Sequence, residues 1–156
     1  MADLIEETND KLVIRKLISA SREEVFDAWG DAAGMREWMC PGDVISAEAQ
    51  IDFRQGGSYR IVMKSPTQDH DHTGKYLEHE RPSKLRFTWN TKGTDTNETL
   101  VTVELKDRSG KTELTLTHER FPSPELRARY QGGWSRIADL LAEHFEQRKS
   151  KSRARA

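Results

Sequence analysis

Three titratable side chains are candidates for acting together: His118, Tyr76 and Glu78. His118 ends the run KTELTLTHE, Lys111 to Glu119, where Thr112, Leu114, Leu116 and His118 alternate with Glu113, Thr115, Thr117 and Glu119. That alternation puts His118 on the apolar face of a strand. A histidine there is usually a satisfied core or pocket-wall residue. It can also orient a ligand through one polar contact, or act as a general base. Tyr76 and Glu78 are two residues apart, so they share a face of their own strand and join His118 if that face is concave. The alternative face, Lys75, Leu77 and His79, is almost equally mixed. No partner dyad is visible beside His118, so no catalytic residue is assigned.

Other chemical motifs carry less. His70-Asp71-His72 has ligand types for a metal, but no matching Cys/His pair occurs elsewhere and Cys40 is alone. A closed zinc site needs four ligands, so these residues read as a solvated polar loop, and no metal or cofactor is expected. Cys40 follows Trp38-Met39 and precedes Pro41. It reads as a small packing residue, since a cysteine nucleophile needs a base and an orienting group. Gly56-Gly57 lies between two strands rather than before a helix, which excludes a phosphate-binding loop.

The elements that must position these groups follow from periodicity. Lys11 to Ile18 is a first strand, and Ser21-Arg22-Glu23-Glu24 is a capping box that opens a short helix carrying Val25, Phe26 and Trp29. Gly30 ends it, and Asp31 starts a second short helix bearing Met35, Trp38 and Met39, which Pro41-Gly42 terminates. Alternating strands follow at Val44–Arg54, Ser58–Lys64, Thr73–Glu80, Lys84–Asn90, Glu98–Leu105 and Lys111–Glu119. Loops are expected at Ser65–His72 and Thr91–Asn97. Ser123-Pro124-Glu125 starts a long last helix. Its stripe of Leu126, Tyr130, Trp134, Ile137, Leu141 and Phe145 must be buried against the sheet. Gly132-Gly133 inside that helix costs roughly 1 kcal/mol per glycine against alanine. Close packing, or a kink at a pocket mouth, would offset it. The expected fold is α+β: a curved antiparallel sheet gripping a C-terminal helix, with two short helices after the first strand.

At 156 residues the chain is one domain, spanning 11–148, with a frayed polar segment at 1–10 and a basic, disordered tail at 149–156. A net charge of -1 gives no pull towards nucleic acid or membrane. One cysteine and no long apolar run place the protein in the cytoplasm.

Several segments carry a family resemblance: EEVFDAW (Glu23–Trp29), REWM before Pro41, IDFRQGGSYRIVM (Ile51–Met63), TGKYLEHERPSKLRFTW (Thr73–Trp89), TLVTVEL (Thr99–Leu105), TELTLTHERFP (Thr112–Pro122) and GGW (Gly132–Trp134). Together they resemble bacterial SRPBCC proteins similar to the C-terminal domain of the activator of Hsp90 ATPase, within the START/Bet v 1-like superfamily. Ser21 departs from the proline often found there. The resemblance implies a helix-grip fold and a cavity for a small hydrophobic or aromatic molecule. An Hsp90-type chaperone is the alternative partner, and a polyketide cyclase or aromatase-like activity the third reading. Parity and periodicity place Trp38, Met63, Tyr76, Phe87, Trp89, Leu116, His118, Tyr130, Trp134 and Ile137 around such a cavity. A monomer or weak homodimer is expected.

Overall fold

The computed structural model describes residues 2–8, 10–91 and 98–155. Eight antiparallel strands form one sheet in the order β1-β2-β8-β7-β6-β5-β4-β3. The strands are β1 (Asp3–Thr8), β2 (Lys11–Ile18), β3 (Ser46–Ile51), β4 (Ser58–Lys64), β5 (Asp69–Glu80), β6 (Lys84–Thr91), β7 (Thr99–Arg108) and β8 (Lys111–Glu119). The helices are α1 (Arg22–Ala28), α2 (Met35–Trp38) and α3 (Pro124–Arg155). From β3 to β8 the sheet is a meander, and β2 closes onto β8. This is the helix-grip arrangement, with α3 crossing β2 and packing on α2.

Local chemistry explains the elements. Ser21 accepts from the Glu24 amide at 3.2 Å, and the Glu24 carboxylate accepts from the Ser21 amide at 3.3 Å, completing the capping box of α1. Ser123 accepts from the Leu126 amide at 3.2 Å and starts α3. Asp31 caps a turn rather than α2 itself, accepting from the Gly34 amide at 3.1 Å. The β7–β8 hairpin closes with Ser109 at φ 55° and Gly110 at φ 87°, a two-residue turn whose twist suits antiparallel strands.

Four expectations are corrected. The sheet begins at Asp3, since 3–8 pair with β2 where a frayed segment was expected. Helix α3 runs to Arg155, past the expected end at Arg148, so the tail at 149–155 is helical. The loop expected at Ser65–His72 shrinks because β5 starts at Asp69, so His70-Asp71-His72 is strand. The signal was a period of two: His72, Gly74 and Tyr76 are buried while Thr73, Lys75 and Leu77 are exposed. Asp71, on the outward face, holds Arg60 through two contacts at 3.0 and 2.8 Å. Lastly, a bulge between Tyr76 and Glu78 breaks the parity that joined them. Tyr76 points inward, whereas Glu78 turns out to pair with Lys84 at 3.1 Å. The loop expected at Thr91–Asn97 lies, at 92–97, outside the described residues.

Candidate functional site

The interior between sheet and helices divides into a filled half and an open half. In the filled half, Trp29, Tyr59, Tyr76, Phe87 and Leu85 close on Met35 and Met39, leaving about 10 Å³, the room of one water. Ring contacts knit this region: Tyr59 lies 5.6 Å from Phe87, Tyr76 5.4 Å from Phe53, and Trp29 5.1 Å from Trp38. Tyr59 also donates its hydroxyl to the Thr88 carbonyl across the space over Gly74, where any Cβ would collide with both groups.

The open half is a cleft of about 640 Å³ between the first turns of α3, the Pro41–Val44 loop and the ends of β4, β5 and β6. Met63, Trp89, Trp134 and Ile137 form its apolar wall, with Tyr130, His72, Thr91 and His70 as polar members. Of the ten expected pocket residues, Met63, Trp89, Tyr130, Trp134 and Ile137 line this cleft. Tyr76 and Phe87 belong to the filled half. Trp38, Leu116 and His118 are buried in the core and do not reach the cleft.

His118 is fully buried and fully satisfied. The Trp134 indole donates to His118 Nδ1 at 2.8 Å. Nε2 therefore carries the hydrogen in the neutral ring and donates to Thr99 Oγ1 at 2.8 Å. Thr99 passes the chain on, donating to the Trp89 carbonyl at 2.8 Å. Burial, and secondarily nearby His72, holds the His118 pKa down to about 3. A neutral ring with both nitrogens engaged joins β8 to α3 and has no free lone pair for base catalysis. With Glu78 outside and Tyr76 in the packed half, the three titratable residues do not converge. Burial raises the Tyr76 phenol well above its ordinary range.

A second polar chain does reach the cleft. Trp89 donates its indole N–H to the Tyr130 hydroxyl at 3.2 Å. That hydroxyl lies 2.8 Å from Thr91 Oγ1, and Thr91 Oγ1 lies 3.1 Å from His72 Nδ1. His72 stacks on Trp89 with ring centroids 4.6 Å apart, and burial lowers its pKa to about 4. If the chain runs one way throughout, it leaves one donor spare: His72 Nε2–H in one sense, the Tyr130 hydroxyl in the other. Sequence reasoning misses His72 and Thr91 because both fall in segments that read as loops, whereas β5 begins at Asp69 and β6 runs on to Thr91. The alternation through Gly74 was the available signal.

The mid-helix glycines are not required by close packing. A Cβ at Gly132 meets nothing within 4 Å, and one at Gly133 meets only the Pro41 Cβ, at 3.5 Å. Both line the cleft, so their missing side chains keep it open.

The remaining motifs are quiet. The Cys40 thiol donates to the Arg36 carbonyl at 3.3 Å, and burial raises its pKa, which disfavours a reactive thiolate. Among the described residues no cluster of three metal-ligating side chains occurs. No described helix is long and apolar enough to cross a membrane.

A sheet gripping a long C-terminal helix, with a cleft opening beside that helix, defines a START/Bet v 1-like domain. The family model for Activator of Hsp90 ATPase homolog 1-like protein matches residues 19–146, and the chain belongs to that family. Solved structures agree on the fold. A protein from Rhodobacter sphaeroides superposes with TM-score 0.80 at 22% identity, covering 97% of this chain and 99% of that one. Protein NE0264 from Nitrosomonas europaea gives TM-score 0.76 at 20% identity, covering 90% and 97%. CalU16 from Micromonospora echinospora gives 0.67 at 21% identity, covering 96% and 85%. No curated relative matches the chain by sequence.

Proposed function

We propose that this protein binds a small apolar or aromatic molecule in the cleft beside α3. The observation that carries the reading is the cleft's make-up: about 640 Å³, with Trp89 and Trp134 on its wall and the polar chain Trp89–Tyr130–Thr91–His72 at its edge. Small-molecule sites are of this size and composition, mostly apolar with a few placed polar groups that fix orientation. The test is a thermal-shift screen with small apolar and aromatic compounds. A ligand at a hundredfold excess over its Kd adds about 2.7 kcal/mol of stability. A broad library that leaves the melting temperature unchanged would remove the reading.

A second reading, a chaperone-interacting module, is favoured by the family's description as homologues of an activator of Hsp90 ATPase. It requires the purified protein to bind an Hsp90-type chaperone from the same cell and raise its ATP turnover. Absence of both effects eliminates it. A cyclase-like enzyme has less support, because His118, Tyr76 and Glu78 do not converge on the cleft.

A further inference from the structure

We infer that the ligand of the cleft is an amphiphilic anion, an apolar or aromatic body carrying one carboxylate or sulfonate-like group. The inference rests on the ligand-binding reading and specifies its chemistry. Arg129, Gly132, Gly133 and Arg136 all line the cleft and follow one another at helical spacings of three, one and three. They therefore form one stripe of α3, with two arginines two turns apart, about 10 Å along the axis, and bare helix between them. Side chains at 132 and 133 would separate the guanidinium groups, and the glycines leave that space empty. Among the described residues neither Arg129 nor Arg136 has an ion-pair or hydrogen-bond partner, whereas Arg54, Arg60, Arg81 and Arg108, away from the cleft, are each paired with a carboxylate. One carboxylate, Asp43, lines the cleft with them. His70 and His72 also line it, the latter kept neutral at pH 7 by burial.

The local balance is thus two cations against one anion, on a chain whose net charge is -1. The positive character belongs to this cleft and not to the molecule as a whole. Below the arginines the wall is Trp89, Trp134, Met63 and Ile137, which no anion alone would select. An apolar body seated on the indoles would bring an anionic end up to the two guanidinium groups, whose planar forks suit carboxylate and sulfonate oxygens.

The test uses two probes on one scaffold, N-phenyl-1-naphthylamine and 8-anilino-1-naphthalenesulfonate, which differ by the sulfonate and both brighten in an apolar site. The sulfonate should bind roughly fivefold tighter at low salt, as partly exposed ion pairs allow, and lose that advantage at 0.5 M salt. Arg129→Gln and Arg136→Gln should each weaken the sulfonate roughly twofold to threefold and leave the neutral probe unchanged. Lys106→Gln, at an exposed position of β7 outside the cleft lining, should change neither. Both arginines are exposed, so the variants should keep the wild-type melting temperature. If the two probes bind alike and the arginine variants match wild type, the anion inference is overturned and the cleft reading stands. If neither probe binds, the anion inference falls, and the thermal-shift screen decides the cleft reading separately.

Discussion

Lowering the pH from 7.5 to 5.0 should cost this protein about 4 kcal/mol of stability, through two buried histidines. Unfolded histidine titrates near 6.5. In the fold, His118 is held at about 3 and His72 at about 4, in both cases chiefly by burial. Both folded values lie below the unfolded one, so between them the unfolded chain binds protons that the native state refuses. Stability is therefore fully present above about pH 6.5 and is lost progressively as pH falls towards the folded values. At pH 5.0 each site costs about 2 kcal/mol, and two sites remove a large part of a domain's usual ~5–15 kcal/mol. The window stays above most carboxylate titrations, near pH 4. The assay is urea unfolding followed by Trp emission at both pH values. His118→Gln keeps much of the volume and can still accept from Trp134 and donate to Thr99. Its absolute stability is expected to fall, but its loss between the two pH values should be about 2 kcal/mol smaller than in wild type. His72→Gln should behave alike. A wild type whose stability is flat from pH 7.5 to 5.0, or variants with an undiminished loss, would refute the claim that these rings are buried neutral.

The glycine pair gives an unusual sign. Gly132→Ala should raise stability by about 0.5–1 kcal/mol, since the new methyl has open space and alanine is the better helix former. The same change should weaken a cleft ligand; a destabilised variant in thermal or urea unfolding would mean the helix packs closer there. Ser21→Ala should cost about 1 kcal/mol by breaking the capping box, with little effect on ligand binding. A cost near zero in the same unfolding assay would show α1 to be held by packing alone.

The fold was legible because its signals are periodic. KLVIRKLI, KTELTLTHE and SYRIVMK are strands with the bounds their alternation implies. The α3 stripe buries Trp134, Ile137, Leu141 and Phe145 as its spacing requires. What failed to show was set by events that leave no period. The bulge after Tyr76 adds one residue and turns Glu78 outward, and alternation counted across it inverts. His72 looks like loop because Asp69 to His72 is polar throughout, yet His70 and His72 belong to the inner face of β5, where they line the cleft. The site was half legible for a related reason. Parity identifies which residues face inward, but not where inward-facing rings meet and where they leave a gap. Tyr76, Phe87 and Trp29 met, so that half closed. Gly132, Gly133 and the Pro41–Val44 loop left the other half open.

The most direct measurement is a titration of the four indole N–H signals by two-dimensional ¹⁵N–¹H NMR with 8-anilino-1-naphthalenesulfonate. Trp89 and Trp134 line the cleft, whereas Trp29 and Trp38 lie in the packed interior. If the cleft binds the probe, the Trp89 and Trp134 signals should move with a common saturating dependence, while those of Trp29 and Trp38 stay nearly fixed. Saturation that moves Trp29 and Trp38 as much as the other two, or leaves Trp89 and Trp134 unmoved, would contradict a binding site beside α3.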